Sequence, residues 1–367
     1  MQGDERSGDS AGYGEIYNVL FDLWRFGSNA LVGWRPSRLG IEVITVPKVR
    51  LFFADTANPR IFAGSRQMGG HTFDMVAQEL NVQPIEIRLD QAIGTEPGEA
   101  HPERVDELFA AFAVTLTQHR AVLLIDIVGF SHRSPAEQAA QLATLEFAIN
   151  LAEEISRKRG LKVELARTTT GDGFYVWNRL KGFTEDIDFF CCFALFVMMF
   201  KTLERTTRVP AAIPELRLCL GIGSHFQYGQ PRANGGMAGE FIVGNVTIEI
   251  ARLIGAAKAG QILVGDFRRP ISDGGTLCGT EVFLAAVSER INGLGELRLL
   301  NMPVERLAFY LTGQRAADGS YPPQAITVLD KHGFEHRCFN AKLNAHPVGA
   351  EPIFGGLQHT DMIQAPD

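Results

Sequence analysis

The sequence predicts an α+β chain in which helices pack on one sheet. Three observations carry that expectation. An unbroken apolar run, Ala121–Ile125, ends in an acidic residue, Asp126. A Gly-Asp-Gly turn, 171–173, joins two β-rich segments. Helical patterns alternate with paired strands from about His119 to Gly313.

A chain of 367 residues has room for two or three domains. It is 46% hydrophobic and 21% charged, the balance of a globular protein with a sizeable core. The net charge of -7 leaves no basic excess for a phosphate backbone, so nucleic-acid binding is disfavoured as the main task. The five cysteines (191, 192, 219, 278 and 338) form no C-x-x-C pair, which argues against a zinc site or disulfide framework and for a reducing compartment. The segment Met1–Tyr13 is polar and lacks the apolar stretch of a signal peptide, so a cytoplasmic location is expected. The most apolar run, FFCCFALFVMMF at 189–200, is too short to span a bilayer and reads as a buried helix.

In chain order, residues 1–118 hold a helix at Gly14–Arg25, a strand region IEVITVPKVRLFF broken at Pro47, and an exposed loop TEPGEAHPE. They carry no interpretable motif. In the next stretch, AVLLIDIVGF is a buried strand ending in a glycine. Ser134, Pro135 and Glu137 predict a capping box, followed by a helix to about Lys158 with the stripe Leu142, Leu145, Ile149, Ala152 and Ile155. LKVELARTTT and FYVWN flank the Gly-Asp-Gly turn as a hairpin. LRLCLGIGSH is a strand, ANGGMAGE a flexible arm, Asn245–Ala257 a helix, QILVG a strand and GELRLLNMPVERLAFYL a hairpin. After Gly313, AITVLDKHGFEHRCFN reads as strand-turn-strand.

Three residues bear the chemistry. Asp126 ends a central strand, where a carboxylate is costly unless it is paired or binds a cation; otherwise it caps a turn. Gly129 lets the chain turn toward a helix N-terminus, a phosphate-cradling geometry. Asp172 is a common turn residue, but if its hairpin neighbours the first strand, both carboxylates reach one point and present the oxygen donors that Mg²⁺ and Mn²⁺ favour. Arg252 lies on a largely apolar helix face, either to stabilise phosphoryl charge or to lie along the surface. His132, His225 and His332 sit beside loops or strand ends and read as surface histidines.

Together LLIDIVGFS, TTTGDGFYVW, LCLGIGSH, EIARLIGAAKAGQILVG and the final hairpin resemble the class III adenylate/guanylate cyclase catalytic domain, in the family's order and over roughly half the chain. The resemblance implies a class III cyclase-like, ferredoxin-like α/β sandwich over 119–313, with an N-terminal region 1–118 and a C-terminal sensor-like extension 314–367. It implies two divalent cations, Mn²⁺ or Mg²⁺, held by Asp126, Asp172 and the Ile127 carbonyl. Gly129, Phe130 and Ser131 would meet the triphosphate. Arg252 would stabilise the transition state from the other protomer of a homodimer with composite sites.

The departures concern the base. The family's purine-reading lysine falls at Thr168, its acidic or small residue at Asn245, and its asparagine before the arginine at Ile248; its triphosphate lysine falls at Leu300. This pattern resembles the pyrimidine cyclases of bacterial Pycsar antiphage defence. The expected activity is therefore conversion of UTP to cyclic 3′,5′-UMP and diphosphate. An adenylate or guanylate cyclase with an unusual base pocket, and a non-catalytic nucleotide-binding pseudo-cyclase, are the alternatives.

Overall fold

The computed structural model describes all residues except 1–5, 27–28, 48–61, 64, 90–100, 233–236, 273–274, 296, 300–301 and 360–367. Leu300 therefore lies outside the described residues, as do the first half of the ANGGMAGE arm and most of the TEPGEAHPE loop. The chain forms two compact units: residues 1–117 with 225–243, and residues 118–224 with 244–367.

The first unit contains α1 (Arg6–Phe26), β1 (Asn29–Ser37), β2 (Gly40–Pro47), α2 (Gly70–Glu79), β3 (Ile85–Arg88) and α3 (Pro102–Ala110). The strands form an antiparallel sheet in the order β1-β2-β3. Ile16 and Leu20 of α1 and Val105 and Phe109 of α3 pack with Trp34, Ile41 and Val43 of the sheet. Trp34 keeps its polar edge satisfied by donating Nε1–H to Asp106 at 2.9 Å.

The second unit begins within β4 (Val114–Ile127) and continues through α4 (Pro135–Lys158), β5 (Leu165–Thr169), β6 (Gly173–Asn178) and α5 (Phe183–Thr206). Next, β7 (Leu216–Pro231) leads into β8 (Met237–Val243), and the two pair in the first unit. Then come α6 (Asn245–Ile254), β9 (Ile262–Gly265), the small pair β10 (Arg268–Pro270) and β11 (Leu277–Gly279), and α7 (Thr280–Asn292). The chain ends with β12 (Leu297–Leu299), β13 (Met302–Thr312), β14 (Ala325–Leu329), β15 (Glu335–Pro347) and β16 (Ile353–Gly355). The main sheet runs β12-β13-β15-β9-β7-β4-β6-β5, with β14 and β16 attached to β15. The fold is α+β, with seven helices among the described residues.

Alternation along the strands assigns the two faces of this sheet. Leu123, Ile125 and Ile127 of β4, Phe174 and Val176 of β6, and Leu218, Leu220 and Ile222 of β7 all enter one core with α4, α5 and α7. The run 189–200 is buried throughout, as its composition requires: α5 lies under α4 and α7, with Phe190 stacked edge-on to Phe283 at 5.0 Å. Each fully buried large apolar side chain contributes about 1.5–3 kcal/mol relative to exposure. α4 starts as read from the sequence, with Ser134 Oγ accepting from the Glu137 N–H and the Glu137 carboxylate accepting from the Ser134 N–H.

α6 takes the opposite face. Added to Gly221, a Cβ would meet Ile250 Cγ2 at 2.7 Å, so this glycine lets α6 lie close on β7.

Three expectations change. His225 is 1% exposed rather than at the surface, because β7 runs on through it as a paired strand instead of ending there. Residues 237–240 of the supposed arm are strand, paired with β7 through Pro231↔Met237 and Gly229↔Glu240. Finally, the stretch after Gly313 is woven into the sheet: β15 lies between β9 and β13, with Ala341↔Ile262 and Leu343↔Phe309 as partners. All five cysteines are free and buried. No helix among the described residues is long and apolar enough to cross a membrane.

Candidate active site

Asp126 is the last β4 residue to pair with β6, opposite Gly173. Since Ile125 and Ile127 point into the core, Asp126 points to the α6 face. The β5–β6 hairpin brings Asp172 beside it. The Ile127 N–H donates to the Asp172 carbonyl at 2.9 Å, tying the two segments together at the tip. The hairpin closes through Thr170 N–H to Gly173 O at 3.0 Å, and Thr170 Oγ1 lies 3.3 Å from Asp172 Oδ1. Gly173 is required by the close approach: a Cβ there would lie 1.9 Å from the Ile125 carbonyl oxygen.

Burial lifts the Asp126 carboxyl above its ordinary pKa. Arg217 opposes the lift, and the charge of Asp172 adds to it. Arg217 is a site residue that the sequence reading missed. It projects from β7 on the Asp126 face, between the core residues Leu216 and Leu218. Its Nε donates to Asp126 Oδ2 at 2.8 Å, and its Nη2 lies 2.5 Å from the same oxygen. A signal was present: a lone charge inside the apolar strand LRLCLGIG needs a partner.

Beyond β4 the chain turns through Gly129 at φ +66° into a 3-10 turn, Phe130–His132, before α4 begins. The bonds closing this turn are donated by His132 N–H to Gly129 O and by Arg133 N–H to Phe130 O. Gly129 and Ser131 are exposed. The ring of Phe130 packs against the core, and its carbonyl accepts from Gln138 Nε2 at 3.1 Å.

Thr168 pairs with Tyr175 across the β5–β6 hairpin, and both lie on the α6 face. Tyr175 donates its hydroxyl to the Thr247 carbonyl at 3.1 Å, joining β6 to α6. On α6, Val246, Thr247, Ile250, Leu253 and Ile254 are buried. The remaining stripe carries Asn245 and Ile248, both exposed, and Arg252, half-buried. Ile248 is 55% exposed, unusual for an isoleucine at a structured helix centre. Asn245 Nδ2 donates to Ser224 Oγ at 3.2 Å.

Arg252 does not join the Asp126–Asp172 pair. Its Nε faces Asp330 Oδ2 at 3.4 Å, in the β14–β15 turn. Asp330 Oδ1 accepts from the N–H groups of His332 and Phe334 at 2.8 and 3.0 Å. His336 lies 3.5 Å from Asp330 Oδ2 through Nε2 and 2.7 Å from Glu249 Oε2 through Nδ1. The Glu249 hydrogen bond is the main cause raising the His336 pKa; burial lowers it. Glu249, Asp330 and His336 are further residues that sequence reading did not single out. His132 and His332 are exposed, as expected.

The donor set at the strand tip fits a divalent cation. Asp126 and Asp172 are neighbouring carboxylates whose repulsion a cation would relieve, and hard oxygen donors suit Mg²⁺ or Mn²⁺. Both Arg217 contacts use Oδ2 of Asp126. Among the described residues, no group of three or more His, Cys, Asp or Glu side chains is placed to hold a metal. Any ion would therefore need main-chain, substrate or water oxygens to complete its shell. A separate hollow of about 370 Å³ between α7 and β13 contains none of these residues.

No protein-family model matches the chain, and no curated protein matches it. Among solved structures, the guanylate cyclase domain of RhGC from Catenaria anguillulae in complex with GTP is similar at 13% identity and a TM-score of 0.37, covering 63% of this chain and 99% of that one. The adenylyl cyclase CyaB from P. aeruginosa is similar at 14% identity and a TM-score of 0.37, covering 65% of this chain and 97% of that one. At these identities and TM-scores, the superpositions assign no activity to this chain.

Proposed function

We propose that the chain is a nucleotidyl cyclase acting on a pyrimidine nucleoside triphosphate, with UTP converted to cyclic 3′,5′-UMP and diphosphate. In this reading it makes a second messenger for antiphage defence of the Pycsar type. The support is the adjacency of Asp126 and Asp172 at the strand tip, together with the motif resemblance that assigns them to metal binding.

In the proposed reaction, the ribose 3′-oxygen forms a bond to the α-phosphorus as the bond to diphosphate breaks, and the 3′-hydroxyl proton passes to solvent. Asp126, Asp172 and the Ile127 carbonyl would hold two divalent cations. When bound, these supply acidification of the hydroxyl and charge neutralisation on diphosphate. The N–H groups of Gly129, Phe130 and Ser131 would orient the triphosphate. Arg252 would reach a partner protomer's site, with its Nε held by Asp330 and its Nη groups left for phosphoryl oxygen. Thr168, Asn245 and the apolar Ile248 would line the base, where a purine-reading lysine is absent. Positioning and electrostatics dominate such phosphoryl transfers.

The test is incubation with each of the four ribonucleoside triphosphates and Mn²⁺, with products identified by mass. Cyclic UMP from UTP alone is expected. A cyclic purine product would move the assignment to an adenylate or guanylate cyclase. Asp126→Asn and Asp172→Asn should each abolish turnover while the thermal unfolding profile persists; normal turnover in either variant would refute the metal assignment. One observation favours the non-catalytic reading: Arg217 already neutralises Asp126. Nucleotide binding without any product from the wild-type chain would establish that reading instead.

A further inference from the structure

Arg217 stands where the proposed metal site would begin. It is 30% exposed, and its partner Asp126 is 16% exposed, so neither charge is fully solvated. Two guanidinium nitrogens converge on one carboxylate oxygen, Oδ2, at 2.5 and 2.8 Å. The arginine thus gives this half-buried carboxylate a charged partner within hydrogen-bond distance. Asp172 contributes a second negative charge near the same point. The guanidinium therefore offsets part of the negative charge that the two carboxylates bring to this point.

We propose that Arg217 is the resident counter-cation of the Asp126 carboxylate. It holds Oδ2 of that carboxylate and competes with a divalent cation for it, so that Arg217 sets the site's metal affinity. This rests on the reading of Asp126 as a metal ligand. The physical reason is Coulombic. A fixed positive charge a few ångströms from an incoming dication repels it, and a carboxylate oxygen already engaged by two N–H groups must be shared or released. Two consequences follow. In Arg217 the half-buried Asp126 carboxylate has a partner of its own, which spares it the cost of an unpaired charge. And metal is favoured when a triphosphate arrives with it, because phosphate oxygens offer the displaced guanidinium another anion.

The experiment measures Mn²⁺ binding to the full chain by electron paramagnetic resonance of the free ion, without nucleotide. Wild type, Arg217→Gln, Arg217→Lys and Asp126→Asn are compared, each checked for a wild-type thermal unfolding transition. Arg217→Gln is expected to bind Mn²⁺ at least about fivefold more tightly than wild type, and Arg217→Lys, which keeps the charge, within about twofold. Asp126→Asn is expected to abolish the site. Equal or weaker binding by Arg217→Gln, with Asp126→Asn still abolishing it, overturns the competition while leaving the metal assignment standing. Unchanged binding in Asp126→Asn overturns the metal assignment and the competition with it. Should Arg217→Gln fail to fold, a Mg²⁺ titration of the wild-type chain decides. The Arg217 Nε–H resonance shifts on titration if the guanidinium gives way, and a resonance that stays fixed while Mg²⁺ binds overturns the proposal.

Discussion

Gly173 has a steric role that can be tested alone. Its Cα packs so closely on β4 that a methyl group would overlap the Ile125 carbonyl. Gly173→Ala should therefore destabilise the second unit by about 3 kcal/mol, as over-packing does, measured by denaturant unfolding. It should also disturb the Asp126–Asp172 adjacency. Asp186 offers a second residue-scale test. It is buried at the start of α5, accepting from the Ala121 N–H at 2.8 Å and from Arg269 Nε at 2.7 Å. Burial raises its pKa to about 6 despite Arg269. A folded-state pKa raised this way favours folding below the unfolded value and loses that contribution as pH rises toward about 6. Relative to Asp186→Asn, wild type should therefore gain about 2 kcal/mol of stability between pH 7 and pH 4. A difference independent of pH would contradict the assignment. Asp126 and Arg252 stood out in the sequence because each is a charge in an apolar setting, and Asp172 because it sits at a Gly-Asp-Gly turn; the structure sets Arg252 apart from the two aspartates, facing Asp330. Arg217 carried the same signal in LRLCLGIG, but no spacing in the sequence tells which acid it meets.

At the scale of elements, α6 and the β14–β15 hairpin share a polar seam. Glu249 and Arg252, one helical turn apart, meet His336 and Asp330 respectively. Because the Glu249 bond is the larger cause of the raised His336 pKa, Glu249→Gln should lower it more than Asp330→Asn does. An imidazole NMR titration reads both, and the reverse order would count against the seam as described. With the sign worked through, the His336–Glu249 attraction is complete at low pH and fades as pH rises through the elevated histidine value. The hairpin itself was readable, since AITVL and EHRCFN flank a Gly333 turn, and β14 and β15 pair from Ala325↔Phe339 to Leu329↔Glu335. Its destination was not. A strand pattern states which residues alternate, but not which edge they join.

At the scale of the whole molecule, the proposal requires two chains per site, with Asp126 and Asp172 from one and Arg252 from the other. The exposed stripe of α6, with Ile248 beside Arg252, is the surface that such a partner would meet. Mixing inactive Asp126→Asn chains with inactive Arg252→Ala chains should restore about a quarter of wild-type turnover, since random exchange makes half the dimers mixed, each with one intact site of two. No recovery after verified exchange would place Arg252 in the same chain's site, or in none.

By itself the sequence determined the α+β class, the capping box at Ser134, the burial of the 189–200 helix and the hairpin that carries Asp172. Each of these depends on periodicity, turn chemistry or capping within a short window. Tertiary structure alone decided that β15 enters the sheet between β9 and β13, that His225 is interior, and that Arg217 occupies the Asp126 carboxylate. Such pairings join residues far apart in the chain. They are chosen by which edges and charges remain unsatisfied once the local elements have formed, and that choice is written in no single segment.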